Sequence, residues 1–323
     1  MINIAELKQE LLNELFSSNV LPLIQLNKKE KYPRKYTDKE KYKIQKLVEK
    51  KHTVVGIDIY QYSSFPTNKQ VFVPHLFEQM YIYAWNLIKQ NYSFIFQDYR
   101  NIGDAKKSKY IEPIEYFISI GDGGYQILET PIHAILFILT FATIVRLYNS
   151  DLFMRKLYAK IGNIELRYTI TLDDLYKYRK NFYGAAIINN SRILSKDKLN
   201  RLLIDNNTHD WFLDRIVGIE NLMSLRLSDL KDIEEFASYT KKKMGEGNNA
   251  LIQKENNKTS KEGIKSIDVQ KIGKIKQKKT YLEVYNLHIQ AIIHYINFFK
   301  TMEKIITVSV GNLNTSGIEN EQI

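Results

Sequence analysis

Hydrophobic positions along the chain fall into two spacings. Residues 53–57 (TVVGI) form a continuous apolar run, the pattern of a buried central strand, and Asp58 ends it. Residues 114–129 (IEYFISIGDGGYQILE) roughly alternate apolar and polar on both sides of a Gly-Asp-Gly-Gly segment. That pattern predicts two short strands and a tight turn, because Gly supplies the φ > 0 positions a hairpin tip needs. Further strands are predicted at 164–172 and 201–205, and a β-hairpin or long strand at 272–287. Helical spacing predicts a helix over 4–16, with Ile4, Leu7, Leu11 and Leu15 on one stripe. A second runs from Pro74 to about Asn91, burying Leu76, Met80, Ala84, Leu87 and Ile88, with proline in the first turn where its missing N–H costs nothing. Others are predicted from Pro131 to about Tyr148, from Gly184 to about Leu194, over 211–239, and over 292–306.

The order strand–helix–hairpin–helix–strand–helix–strand predicts an α+β domain that begins with a ferredoxin-like βαββαβ unit. The chain divides into an N-terminal helix and basic linker (1–51), the core (52–210), a helical segment with a Lys/Asn-rich insertion (211–266), closing strands with a C-terminal helix (267–311), and a disordered tail (312–323). The insertion holds too little apolar surface to order itself.

Charge and composition narrow the function classes. The net charge of +11 is local: residues 28–51 hold eleven basic and four acidic residues, and 241–279 hold twelve lysines and four acids. A nucleic-acid binder would spread basic and aromatic residues along one face, so these segments read as solvated surface and no nucleic-acid partner is expected. The absence of cysteine excludes disulfides and a Cys-ligated zinc site. Residues 1–16 are amphipathic and acidic, unlike a signal peptide. The apolar run 131–145 contains His133 and is shorter than the roughly 20 residues a bilayer span needs. It is expected to be a buried core helix, in a cytoplasmic protein without direct membrane contact. His75, His133, His209, His288 and His294 lack metal-ligand spacing, and no Walker loop or dinucleotide fingerprint is present.

The candidate chemistry lies in two carboxylates and one arginine. Asp58 and Asp122 are expected at the ends of adjacent strands, where together they can hold two divalent cations for phosphate chemistry. Gly184, Ile188 and Arg192 are spaced by four and share one helical face. An arginine there can stabilise charge developing on a triphosphate. In the closing strand Lys274, Lys276 and Lys278 alternate onto one face and Lys279 onto the other.

These stretches resemble the class III nucleotidyl cyclases. DIYQYS resembles that family's first strand motif, GDGG its second Asp-bearing turn, YGAAIINNSRIL its Trp-Gly-x-x-x-Asn-x-x-x-Arg helix, and KKTYLEVYNL its closing strand. The resemblance implies that Asp58, Asp122 and the backbone carbonyl of Ile59 hold two Mg²⁺ or Mn²⁺ ions. It implies that Arg192 acts in the transition state, and that a homodimer forms composite sites with metal ligands from one chain and the arginine from the other. A phosphate-binding lysine is implied on the closing strand, with Lys276 and Lys279 as candidates. The family's helix Asn falls on Ile188 here; either the adjacent Asn189 substitutes through a shifted helix or this role is lost. The family's purine-reading pair falls on Ile118 and Asn181, and Tyr62 stands where the first motif has Phe. These departures resemble the bacterial pyrimidine cyclases of the Pycsar antiphage system. That branch implies UTP or CTP as substrate and a cyclic nucleotide that activates a separate effector protein. A cytidylate cyclase, a purine cyclase and an inactive nucleotide-binding module stand as alternatives. A diguanylate cyclase or polymerase palm would carry Gly-Gly-Asp/Glu-Glu-Phe or tandem acids on the hairpin, which GDGGYQ lacks.

Overall fold

The computed structural model describes residues 51–92, 95–96, 116–150, 152–178, 181–236, 262–277, 280–296, 303–314 and 316–318. The predicted helix at 4–16, the basic linker to residue 50 and most of the Lys/Asn-rich insertion lie outside these residues. So does Lys279.

In chain order the elements are β1 (Lys51–Ile59), α1 (Thr67–Gln70), α2 (Val73–Asn91), β2 (Phe117–Ser119), β3 (Gly123–Leu128), α3 (Pro131–Asn149), α4 (Arg155–Ile161), β4 (Leu166–Tyr178), β5 (Asn181–Gly184), α5 (Ala185–Lys196), β6 (Leu202–Asp205), α6 (Asn206–Ile216), β7 (Gly263–Lys276), β8 (Tyr281–Ile296) and β9 (Glu303–Val310). The sheet runs β2-β3-β1-β4-β6-β8-β7, with β5 added to β4 and β9 to β8. The segment β1-α2-β2-β3-α3-β4 is the expected βαββαβ unit, with β1 central and antiparallel to both β3 and β4.

The two sheet faces are covered differently. Val55, Ile57 and Ile59 of β1 join Leu128, Ile170 and Leu172 under α2 and α3 in the main core. Helix α3 is apolar all round and nearly all its residues are buried, which identifies it as a core helix. It is long and apolar enough to cross a membrane by length and composition, yet here its apolar surface is spent inside the domain. Thr130 caps it by accepting the His133 N–H, and Pro131 occupies its first turn. The opposite face carries Val54, with Ile127, Leu175, Phe182 and Ala186. Helix α5 covers this side with Ala186, Asn189, Asn190, Ile193 and Leu194 buried, the spacing of a single helical stripe.

Helix α5 sits unusually close to the sheet. The Asn190 amide donates to the carbonyls of Val54 and Thr169 at 2.9 and 3.1 Å and to the Thr171 hydroxyl at 3.2 Å. This approach needs glycine at position 56, where a Cβ would lie 2.0 Å from Asn190 Oδ1.

Several expectations are corrected by the structure. Residues 292–306 were expected to be helical, but 292–296 finish β8 and 303–306 begin β9, paired from Ile289↔Val310 to Ile296↔Glu303. The Ile-rich sequence fits both periods, and β-branched residues favour the pleated sheet. The helix expected over 211–239 ends at Ile216, after which the chain forms short 3₁₀ turns. Residues 263–266, expected in the floppy insertion, belong to β7. The tail expected to be disordered from residue 312 is docked at 312–314 and 316–318, with Ile318 buried among Ile193, Leu203, Ile272, Ile275, Leu282 and Val284.

The C-cap of α6 stores local strain. Val217 has φ 62° and is 84% exposed. A β-branched side chain is disfavoured in this left-handed conformation, which helices usually assign to glycine. Val217→Gly is expected to raise stability by about 1 kcal/mol, read as a higher urea midpoint. An unchanged or lower midpoint would show that this turn carries no strain.

Candidate active site

The site is built at the end of β1. Asp58 pairs in register with Gly123 of β3 and with Arg167 of β4. Gly123 lets the strands meet, because a Cβ there would lie 2.0 Å from the Ile57 carbonyl oxygen. The turn that precedes β3 then reaches across β1, and the Ile59 N–H donates to the Asp122 carbonyl at 3.2 Å. The two carboxyl groups are thereby brought together. Asp122 is held above the usual carboxylate range, first by burial, then by the charge of Asp58, with a hydrogen bond between the carboxyls adding to the effect.

Arg167, which sequence reasoning missed, completes this end of the sheet. Its Nε donates to Asp58 Oδ2 at 2.5 Å and its Nη1 donates to the Asp197 carbonyl at 2.5 Å. The ion pair is partly buried, so it is less screened than a surface pair. Only the β1–β4 register reveals this contact, since the two residues are 109 positions apart.

The two carboxylates and the Ile59 carbonyl are hard oxygen donors and suit Mg²⁺ or Mn²⁺. Crowding of the two acids fits a site that a cation would relieve. Among the described residues no group of three or more His, Asp or Glu side chains assembles as a metal cluster.

Helix α5 carries the other candidates. Arg192 is half-buried and makes no ion pair among the described residues. Ile188, one turn earlier, is 50% exposed. Asn189 points elsewhere: it is buried, donates to Asp173 Oδ2 at 3.3 Å and accepts from Gln277 Nε2 at 2.8 Å. Gln277 lies at the turn between β7 and β8, where Thr280 donates to its side-chain oxygen at 2.9 Å. The amide of Asn189 therefore docks the lysine-bearing turn on α5. Lys276 is exposed at the end of β7 opposite Tyr281, and Lys274 lies over the Tyr281 ring at 4.5 Å.

The candidate base-reading residues are spread along the sheet: Tyr62 follows β1 at the Asp58 end, whereas Asn181 pairs with Tyr178 at the far end of β4. Ile118 of β2 packs on the apolar cluster that contains Phe182, and Asn181 precedes Phe182 on β5. Asn181 is exposed, with its amide 3.4 Å from the Tyr183 hydroxyl. Tyr62 sits in a 3₁₀ turn just after β1, edge-on to Phe65, with its hydroxyl 3.5 Å from the Gln70 carbonyl. The preceding Gln61 has φ 57°, a strained conformation for a residue beside the site.

Asp205 is a buried carboxyl on this domain's other flank. It caps α6, accepting from Thr208 N–H at 2.9 Å, and burial raises its pKa to about 7 despite that bond. Between pH 4 and 7 the folded protein holds a proton here that the unfolded chain has lost. Stability from this group is full below about pH 4 and declines as pH rises to 7. Asp205→Asn keeps an oxygen to cap the helix and removes the titration. Relative to wild type, the variant is expected to gain stability from pH 4 to pH 7 by a few kcal/mol, at about 1.4 kcal/mol per pKa unit. Parallel stability–pH curves, from urea unfolding at each pH, would refute this.

No protein-family model and no curated protein matches the chain. Among solved structures it is similar to an adenylate/guanylate cyclase/hydrolase from Silicibacter pomeroyi, at 12% identity and TM-score 0.35, covering 74% of this chain and 96% of that one. It is similar to the adenylyl cyclase CyaB from P. aeruginosa, at 12% identity and TM-score 0.36, covering 74% and 93%. It is also similar to adenylate cyclases from Trypanosoma brucei in their monomeric state, at 12% identity and TM-score 0.34, covering 74% and 90%.

Proposed function

We propose that this chain is a nucleotidyl cyclase that converts a nucleoside triphosphate into a 3′,5′-cyclic nucleotide and pyrophosphate. The observation that carries the reading is the Asp58–Asp122 carboxyl pair at the end of a βαββαβ sheet, with Arg167 beside it. Asp58, Asp122 and the Ile59 carbonyl would hold two Mg²⁺ or Mn²⁺ ions. Such ions, when bound, make the ribose 3′-OH more acidic and neutralise phosphate charge.

The reaction forms a bond from the 3′ oxygen to the α-phosphorus and breaks the bond to the bridging oxygen, so pyrophosphate leaves with the electron pair. Arg167 orients Asp58 through Nε while Nη1 is committed to the Asp197 carbonyl, so its part is to hold the carboxylate in place. Arg192 stabilises charge on the α-phosphoryl group in the transition state. Its guanidinium lacks a carboxylate partner in its own chain among the described residues, which supports its acting across a homodimer. Exposed Tyr176, Tyr183, Ile188 and Tyr281 give that face apolar surface to bury. Lys276 at the end of β7 would neutralise the triphosphate, as would Lys279 on the sequence resemblance, and Asn189 holds Gln277, the residue that follows Lys276.

The substrate on this reading is a pyrimidine nucleotide, UTP ahead of CTP. Ile118 presents no cation to a purine edge and lies in an apolar cluster, while Tyr62 and Asn181 supply polar groups. The cyclic product would act in the cytoplasm as an antiviral second messenger on a separate effector. The test is incubation of purified protein with all four NTPs and Mn²⁺, with products identified by mass spectrometry. Cyclic UMP is expected; preference for ATP or GTP would replace the pyrimidine reading, and absence of any cyclic product would refute the enzyme. A second reading, an inactive nucleotide-binding module, is favoured by one observation: an exposed Ile188 stands where the resemblance calls for Asn. It would show metal-dependent NTP binding without turnover.

A further inference from the structure

The C-terminal strap, residues 312–314 and 316–318, reaches the candidate site by two routes. The first is polar. Arg201 Nη1 donates to the carbonyls of Ser316 and Asn314 at 2.7 and 3.5 Å. The same guanidinium donates Nε and Nη2 to Asp197 Oδ1 at 2.9 and 2.6 Å, in a pair whose side chains are each 2% exposed. The Asp197 carbonyl in turn accepts from Arg167, whose Nε holds Asp58. The second route is apolar. Ile318 is 4% exposed and packs in the cluster that contains Ile193, the neighbour of Arg192 on α5. Two further bonds fasten the strap at its start: Asn286 Nδ2 donates to the Asn312 carbonyl at 2.8 Å, and Asn312 Nδ2 donates to Asn200 Oδ1 at 2.9 Å.

We propose that this strap is a positioning element for the candidate site, fixing Arg167 against Asp58 through Arg201 and Asp197, and bracing the helix of Arg192 through Ile318. The inference rests on the cyclase reading and extends it to residues more than a hundred positions downstream of either arginine's partner strand. Its physical basis is that a carboxylate binds a cation best when its second oxygen is held by a fixed donor. Loss of such outer partners typically lowers metal affinity by about 10–100-fold. Arg167 is that donor for Asp58, and Arg167 is fixed only as well as the Asp197 carbonyl it leans on. Asp197 is held by Arg201, and Arg201 finds its remaining acceptors on the strap.

The test measures binding of Mn²⁺ alone by electron paramagnetic resonance, without nucleotide or turnover. Five proteins are compared: the full chain, the chain ended after Gly311, Ile318→Ser, Ile318→Val and Asp58→Asn. The full chain is expected to bind Mn²⁺ and lose binding in Asp58→Asn. Ending the chain after Gly311 is expected to weaken Mn²⁺ binding about tenfold, with restoration by a peptide of residues 312–323 added in trans. Ile318→Ser should shift in the same direction at temperatures well below its unfolding, and Ile318→Val should match the full chain. Ile318→Ser keeps the test usable if the shortened chain does not fold. Unchanged Mn²⁺ affinity in Ile318→Ser, with Asp58-dependent binding intact in the full chain, would overturn the strap's role and leave the cyclase reading standing. Absence of Asp58-dependent Mn²⁺ binding in the full chain would overturn both.

Discussion

Asp58→Asn and Asp122→Asn are each expected to lower cyclic-nucleotide formation by about a thousandfold or more, while the protein stays folded. The argument runs from charge. Burial first and the charge of Asp58 second hold the Asp122 carboxyl above its usual range, so keeping both acids here opposes folding in the absence of a cation. Such a cost is typical of a site kept for chemistry rather than packing. An amide in place of either acid removes a negative ligand for a divalent cation. Electrostatic stabilisation of that kind supplies several kcal/mol in a phosphoryl-transfer transition state, and about 4 kcal/mol corresponds to a thousandfold in rate. The two variants should differ in stability. Asp122→Asn relieves repulsion, so its melting temperature should equal or exceed that of wild type. Asp58→Asn leaves Arg167 facing a neutral amide, so it should gain nothing. Rates from initial velocities with Mn²⁺ and thermal melts of both variants settle the matter. Near-normal activity in either one would remove it from the ligand set.

Arg192→Ala should lower turnover by about a hundred- to a thousandfold, the range typical of losing one preorganised donor to transition-state charge. Substrate binding should be largely kept, because the contact strengthens only as charge develops. The fold should also survive, since Arg192 makes no ion pair among the described residues and the buried stripe of α5 lies on Ala186, Asn189, Asn190, Ile193 and Leu194. The sharper outcome is complementation. Mixed Asp58→Asn and Arg192→Ala chains should recover activity, because a heterodimer restores one complete site from two defective chains. Exchange of subunits is checked by native mass spectrometry. Exchange without recovery would mean that each site belongs to a single chain.

The parts of this molecule that the sequence displays are those set by local chemistry. A five-residue apolar run closed by Asp58, and a glycine-rich turn around Asp122, announce buried strands with carboxylates at their ends, and the structure has both. The Gly184-to-Arg192 helix is legible from spacing alone. What the sequence hides depends on register or on remote packing. Arg167 looks like one more cation in IELRYTITL until β1 and β4 are paired. Asn189 reads as a neighbour of the helix position at Ile188, yet its amide is committed to Asp173 and Gln277. The strap is rich in Asn, Ser and Gly and so reads as disorder. Its order comes from the Arg201 guanidinium, the Asn286 and Asn200 side chains and one buried isoleucine. Strand β8 is Ile-rich enough to satisfy a helical count, and only its pairing with β7 and β9 decides the matter.

The contact between Gly56 and Asn190 bears on how this chain can diverge. Position 56 has no room for a methyl group while Asn190 and Leu194 pack over it, and the Asn190 amide is what seats the arginine-bearing helix on three points of the sheet. A side chain at 56 would meet Asn190 Oδ1 at 2.0 Å and Leu194 Cδ1 at 2.7 Å and so lift that helix, whereas a smaller residue at 190 would remove the three bonds. A descendant with a side chain at 56 must therefore have made room at both 190 and 194, so the three positions are coupled. The height of the helix above the sheet, and with it the reach of Arg192, is set by these positions together rather than residue by residue.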